Sequence, residues 1–152
     1  ETITGNALTV FRLLAEAEAA VHDVSVEEIH FHEVGAVDAI VDIVGTCIAI
    51  DYFGPNALTC GPLRTGTGLV RSAHGMLPVP APAVMQLAEG RTLQYLSDEG
   101  ELTTPTGAAI LCALTSEVDA IDLKVERSGY GCGQRDFEDL PNLLRTTLGR
   151  TA

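Results

Sequence analysis

The sequence predicts an α+β domain in which helices pack on a mixed sheet. Stretches with apolar residues at helical spacing alternate with short strand-like stretches, and glycine- and proline-rich turns separate them. A mainly parallel α/β sheet is the alternative, because helices and strands alternate along much of the chain. The 152 residues, 46% hydrophobic and 20% charged, are enough for one domain with a substantial core.

The charge balance excludes some partners. Nine basic and 21 acidic residues give a net charge of −12, so the surface would repel nucleic acid and anionic membrane, and we expect neither as a partner. No apolar run is long enough to span a membrane and no signal peptide is visible, which favours a cytoplasmic protein. The four cysteines are scattered without a C-x-x-C pair and are interpreted as reduced thiols.

Two helices are predicted in the first third of the chain. Residues 3–22 have the apolar spacing of an amphipathic helix, and residues 36–52 are long enough for a second helix. The predicted core stripe of the second helix is Val37, Ile40, Val44, Cys47 and Ile48. Asp38 and Asp42, four positions apart, share another face of this helix, close to apolar packing.

The run 30–45, HFHEVGAVDAIVDIVG, contains the densest set of candidate ligands. If residues 29–33 form a strand, His30 and His32 point to one side of it and Glu33 to the other. Imidazole suits nickel or zinc, and carboxylates suit magnesium or manganese. The run therefore predicts a divalent-metal site. In the alternative interpretation, Asp38 and Asp42 only favour the positive end of the helix, and the histidines lie on a solvated edge strand.

A glycine-rich segment follows. Residues 58–61 resemble a strand, and the amides around Gly66 and Gly68 could approach a phosphate, with Arg64 and Arg71 as counter-charges. A plain hairpin turn is the alternative. A further strand at 69–71 is turned by residues 73–75. This turn contains His74, which completes the set of metal candidates.

The second half of the chain predicts two shorter helices. Pro82 suits the first turn of one helix, which Gly90 ends, and residues 92–96 form a strand. Thr104 is predicted as the N-cap of the next helix, with Pro105 at its first position. The candidate phosphate ligands at this helix start are Thr103, Thr104, Thr106 and Gly107. An ordinary capped helix is the alternative. Residues 121–126 and 140–145 are predicted strands.

Several motifs together resemble one family. Besides the run 30–45, they are Gly66-Thr67-Gly68, His74-Gly75, the proline segment 78–82, GELTTPTGAA at 100–109 and GYGCG at 129–133. In order and spacing they resemble the LarC family, the nickel-insertion proteins of lactate racemase maturation. Family members are longer at both ends. The resemblance thus implies that residues 1–152 are a single central domain of a longer nickel-insertion protein, and the activity of the isolated domain is left open.

The resemblance also implies a reaction. Family members are nickel chelatases (insertases) of the lyase class. They insert Ni(II) into pyridinium-3,5-bisthiocarboxylic acid mononucleotide, which gives the nickel-pincer cofactor of lactate racemase. The reaction uses CTP, which is split to CMP and diphosphate, with Mn(II) or Mg(II). The implied partners are the pyridinium mononucleotide, CTP, the lactate racemase apoprotein and further copies of the chain.

Two other functions remain open from the residues alone. One is a non-catalytic structural or oligomerisation core, which the apolar, glycine-rich composition favours. The other is a divalent-metal phosphohydrolase-like domain, which the acids near His30 and His32 favour. The residues do not assign a catalytic group.

Overall fold

The computed structural model describes residues 2–29, 37–72, 75–137 and 140–151. Within these ranges helices and short strands alternate along the chain. The helices are α1 (Thr2–His22), α2 (Val37–Phe53), α3 (Pro82–Leu87) and α4 (Pro105–Leu114). The strands are β1 (Thr59–Cys60), β2 (Leu63–Thr67), β3 (Leu69–Ser72), β4 (Gly75–Pro78), β5 (Leu93–Glu99), β6 (Ser116–Glu117), β7 (Leu123–Cys132) and β8 (Leu143–Thr151). No helix in these ranges combines the length and apolar character needed to cross a membrane.

The core lies between the helices. α1 packs against α2, α3 and α4, and Val10 and Leu14 on α1 have no exposed surface. Ile43 and Val84 meet them from α2 and α3 and are also fully buried. The last helix contributes small residues, because Ala108 and Ala109 of α4 belong to the same cluster. Small side chains on one helix let a neighbouring helix approach closely, which is how this short α4 reaches the core.

The buried face of α2 differs from the predicted one. Ala39, Ile43 and Cys47, at a spacing of four, form the buried stripe, and Val44 packs against the same cluster. The prediction is confirmed for Val44 and Cys47. It is wrong for three residues that remain exposed: Val37 (76%), Ile40 (47%) and Ile48 (51%). Because α2 is apolar on nearly every side, its sequence pattern does not determine which side packs inward.

The strands pair in both directions, which confirms the α+β class. β1 pairs with β6 and β2 with β5 in parallel, whereas β3–β4 and β7–β8 are antiparallel. Within the described ranges these pairs form four separate two-stranded sheets and no single wide sheet. The β3–β4 hairpin matters most for the site, because its residues reach the start of α4.

Arg91 ties down the end of α4. It lies between α3 and β5, and its guanidinium donates to the main-chain carbonyls of Leu111 and Cys112, at 3.2 Å each, and of Thr115. It also lies 3.4 Å from the Thr115 hydroxyl and from the Cys60 sulfur. A cation at a helix C-terminus is favourable, and these contacts satisfy carbonyls that have no partner inside the helix. Arg91 therefore sets where α4 ends.

The β7–β8 hairpin is the most exposed part of the described chain. Almost every residue of its two strands is exposed, including Val125 (61%), Tyr130 (62%) and Leu144 (66%). Apart from their pairing with each other, neither strand packs extensively on a helix or on a further strand among the described residues. In the connection between the strands, Arg135 lies against Gly100, whose φ is +119°, and its guanidinium occupies the space that a Cβ would need.

Candidate functional site

A cleft of about 300 Å³ opens where α2, the β3–β4 hairpin and the start of α4 meet. Its size is at the lower end of small-molecule binding sites. The residues that line it are Asp38, Ala39, Asp42, Val70, Arg71, Ser72, Leu77, Ala81, Glu101, Thr104, Pro105 and Thr106. The cleft therefore unites four residues that the sequence assigned separately to metal and to phosphate.

α2 supplies the acidic wall. Asp38 lies in its first turn and Asp42 one turn later, so both carboxylates face the cleft from one side of the helix. Ala39 between them turns into the core and is only 4% exposed. Both aspartates are exposed to solvent, which corrects the expectation that they lie close to apolar packing. Both carboxylates are therefore accessible to a ligand that enters from solvent.

The first turn of α4 supplies a second part of the cleft wall. Thr104 is the N-cap, as predicted, and its Oγ1 accepts a hydrogen bond of 3.1 Å from the Gly107 amide. Pro105 follows at the first helical position and has no N–H to satisfy. The amide of Thr106 lies in the same turn, where helix N–H groups lack intrahelical acceptors. The threonine hydroxyls and this partial positive charge suit an anionic group.

The β3–β4 hairpin adds one cation and one hydroxyl. Arg71 and Ser72 of β3 line the cleft, and Leu77 of β4 lies beside them. Arg71 is the basic side chain among the described lining residues, whereas Asp38, Asp42 and Glu101 are acidic. The cleft is therefore mainly acidic, with positive character from Arg71 and the α4 first turn. Such an arrangement can accept a metal cation together with an anionic ligand.

The other predicted phosphate ligands lie outside the cleft, and several of them take part in strands or in hydrogen bonds within the chain. Gly66 is buried within β2, and Gly68, with φ +90°, directly precedes the hairpin and accepts a 3.0 Å hydrogen bond from the Val79 amide through its carbonyl. The Thr103 hydroxyl donates to the carbonyl of Arg64 at 2.6 Å. Gly66, Gly68, Thr103 and Gly107 are not among the described residues that line the cleft. The hairpin-turn alternative for Gly66–Gly68 is also wrong, because Gly66 lies inside β2, at the irregularity between Thr65 and Thr67 in its parallel pairing with β5, and the hairpin starts at Leu69.

Four of the predicted metal ligands, His30, His32, Glu33 and His74, lie outside the described residues. In the described ranges, no group of three or more histidine, cysteine, aspartate or glutamate side chains is arranged to hold a metal ion. Asp38 and Asp42 therefore do not form a complete metal site with other described residues.

Sequence reasoning missed Ser72 and Glu101 as cleft residues. Glu101 comes three positions before the N-cap Thr104, inside the segment 100–109, so its place next to a capped helix was the available signal. Ser72 had no such signal. Its position depends on the β3–β4 pairing, in which Ser72 lies opposite Gly75.

Comparison with known sequences identifies the class of protein. The whole chain, residues 1–152, matches the family described as nickel insertion protein. The chain belongs to this family. No solved structure matches it significantly.

Individual relatives are consistent with that class. The chain is 56% identical over 145 residues to a putative nickel insertion protein of Pelobacter propionicus, and the match covers 95% of this chain and 37% of the relative. It is 49% identical over 146 residues to the pyridinium-3,5-bisthiocarboxylic acid mononucleotide nickel insertion protein of Desulfitobacterium hafniense, covering 95% and 36% respectively. A putative nickel insertion protein of Myxococcus xanthus is 49% identical over 144 residues. The chain thus spans somewhat more than a third of the length of these relatives.

Proposed function

We propose that residues 1–152 form the central domain of a cytoplasmic nickel insertase that places Ni(II) in pyridinium-3,5-bisthiocarboxylic acid mononucleotide. Membership of the family and the name of the Desulfitobacterium relative support this substrate. The observation that carries the proposal is the cleft, which is lined by Asp38 and Asp42 of α2 and by the capped start of α4. A metal-loading reaction on a phosphorylated ligand needs both kinds of wall.

The anionic end of the ligand belongs at the α4 wall. A phosphate there would accept hydrogen bonds from the amide of the first turn and from the hydroxyl of Thr106. Arg71 of β3 would add a neutralising positive charge. The Thr104 hydroxyl oxygen already accepts a hydrogen bond from the Gly107 amide. The role of Thr104 in this proposal is therefore to fix the shape of the turn that binds the ligand. The volume of the cleft suits part of a mononucleotide better than a whole dinucleotide.

The acidic wall would hold the hard cation. Carboxylate oxygens are preferred ligands of Mn(II) and Mg(II), and Asp38 and Asp42 are exposed and on one helix face. In this proposal they hold the Mn(II) or Mg(II) that accompanies CTP. In this proposal the insertion step, which belongs to the lyase class, splits CTP to CMP and diphosphate. The product cofactor is then delivered to the lactate racemase apoprotein.

Nickel is the cargo of the reaction, and the imidazoles are proposed to receive it. His30, His32 and Glu33 precede α2 in the sequence by a few residues, and His74 follows the cleft residue Ser72 by two positions. Neutral imidazole is required for binding, so nickel affinity should fall as the pH drops through about 6.5.

A charge-removal series in the natural-length protein tests the cleft. Asp38→Asn and Asp42→Asn keep the side-chain shape and remove the charge, and Asp51→Asn is the matched control, because Asp51 lies on the same helix outside the cleft. Titration with Mn(II), and nickel insertion followed by the mass of the pyridinium nucleotide, are measured for each variant. We expect the two cleft variants to lose at least about tenfold in Mn(II) affinity and to lose insertion activity, with the control unchanged.

Three results would count against the proposal. If all three variants bind metal and insert nickel equally, and Asp38→Asn changes only stability by about 0.3–1 kcal/mol, the aspartates are helix-dipole partners alone. If the His30→Ala/His32→Ala variant keeps wild-type nickel affinity and pH dependence, these histidines do not receive nickel. Full insertion activity after loss of all metal binding at the cleft would favour a purely structural role for this domain.

A further inference from the structure

The β7–β8 hairpin reverses the charge of the rest of the chain. Its strands carry four basic side chains and one acidic one, whereas the whole chain carries nine basic and 21 acidic residues. The basic residues of the hairpin are Lys124, Arg127, Arg145 and Arg150. Nearly half of the positive charge of an acidic protein is thus concentrated on one exposed ribbon.

Three of these cations share one face of the ribbon. Lys124 pairs with Arg150 across the strands, and Arg127 pairs with Leu148, on the far side of an irregularity between Val125 and Arg127. Partners in register lie on the same face, and residues two apart on β8 do so as well. Lys124, Arg127 and Arg150 therefore form a basic face, on which Leu144 is also exposed at 66%. Glu126 forms an ion pair of 2.7 Å with Arg150, and no carboxylate among the described residues forms an ion pair with Lys124 or Arg127.

Among the described residues, the hairpin also lacks the packing that usually stabilises such a ribbon. A two-stranded hairpin is marginally stable in water unless further strands or a helix cover it. Here both faces are exposed, and Val125, Tyr130, Leu143 and Leu144 present large apolar side chains to solvent. A partner with negative charge and some apolar surface would cover this ribbon.

The same chain carries a surface of that kind. Residues 16–28, the end of α1 and the turn after it, contain five carboxylates and no lysine or arginine. Hydrogen bonds from the Ser25 hydroxyl and amide hold the pKa of Glu28 below its usual value. Val21, Val24 and Val26 are 39–42% exposed between the acids. We call residues 16–28 the acidic patch. Within one chain, the hairpin strands and α1 make no extensive contact.

We propose that the β7–β8 hairpin is a docking arm whose basic face binds the acidic patch of a second copy of the chain. The ribbon is about 30 Å long, so the area of one of its faces is smaller than the roughly 800 Å² that each partner buries in a specific interface. In a two-fold dimer each copy both donates an arm and accepts one, so two such contacts form together. In both contacts a basic hairpin meets an acidic patch, and this charge complementarity favours a second copy of the chain as the partner.

Charge reversal with mixed variants tests the proposal in the natural-length protein. Arm variant Lys124→Glu/Arg127→Glu and patch variant Glu16→Lys/Glu27→Lys are each expected to raise the dissociation constant of the dimer about tenfold or more, since like charges then face each other. When the two variants are mixed, each arm again meets a patch of opposite charge. The mixture should recover dimerisation. The readout is the molar mass by sedimentation at low and high salt, and wild-type association should weaken as salt rises.

The control is Asp51→Lys/Asp119→Lys, which reverses two exposed acids outside the acidic patch and should leave association unchanged. A monomeric wild-type protein at low salt would overturn the proposal. So would a dimer that neither variant weakens, or single variants whose defect is not repaired by mixing. If hydrogen exchange shows the hairpin amides protected in a monomer, the hairpin is covered by another part of the same polypeptide, and the proposal is wrong.

Discussion

Truncation of Ile43 should destabilise the protein far more than the same truncation at either of two neighbouring isoleucines. Ile43 has no exposed surface, whereas Ile40 and Ile48 on the same helix are 47% and 51% exposed. Isoleucine to alanine removes three carbons, and about 0.8 kcal/mol per buried carbon gives about 2.4 kcal/mol for Ile43 before any cavity is counted. The cavity term brings the expected loss to about 2–5 kcal/mol.

The two matched controls lose less. About half of each side chain is already in water, so Ile40→Ala and Ile48→Ala should each lose about 1 kcal/mol, with little or no cavity. The difference in helix propensity between isoleucine and alanine is the same at all three positions and cancels.

Urea denaturation of the three variants measures these losses. The midpoint should shift with an unchanged slope, because the surface exposed on unfolding stays nearly the same. If Ile40→Ala or Ile48→Ala is as destabilising as Ile43→Ala, the face of α2 that packs inward is not Ala39–Ile43–Cys47. The reasoning about this helix would then be refuted.

Two further predictions use other parts of the chain. Thr104→Ala should lower the free energy of unfolding by about 1 kcal/mol, because the Gly107 amide loses its acceptor. Thr106→Ala removes no cap and should lower the free energy of unfolding clearly less. Equal losses in thermal melts would contradict the capping role of Thr104. Iodoacetamide should modify the exposed Cys132 first and Cys47 last, because Cys47 is fully buried and burial raises the pKa of its thiol. Peptide mass spectrometry follows both cysteines, Cys132→Ser should abolish the fast phase, and modification of both at one rate would contradict the burial of Cys47.

Local chemistry was enough to predict the start of α4. An N-cap threonine followed by proline at the first helical position depends only on neighbouring residues, and the structure confirms both Thr104 and Pro105. The positions of Pro82 and of the β3–β4 hairpin were predictable for the same reason. The facing of α2 was not, because apolar residues on all sides leave the pattern without a preferred direction.

Contacts between distant parts of the chain were also beyond the sequence. β1 pairs with β6 across more than fifty residues, through Thr59 opposite Ser116, and no turn or periodicity signals such a pairing. The cleft has the same character. Asp42 and Thr104 were each identified as candidates, but their meeting depends on the packing of α2, α3 and α4 around α1. The sequence therefore indicated the ligand types of the site and not its shape.

The Arg91 contacts have a consequence for the thermodynamics of binding at the other end of α4. The last carbonyls of the helix are held by Arg91 and its first amides by Thr104, so both ends are ordered by the protein itself. A ligand that binds at the first turn does not have to freeze a fraying helix, and this part of the conformational entropy is lost during folding instead. Loosening the far end through Arg91→Ala should then slow association or speed release at a cleft that Arg91 never touches.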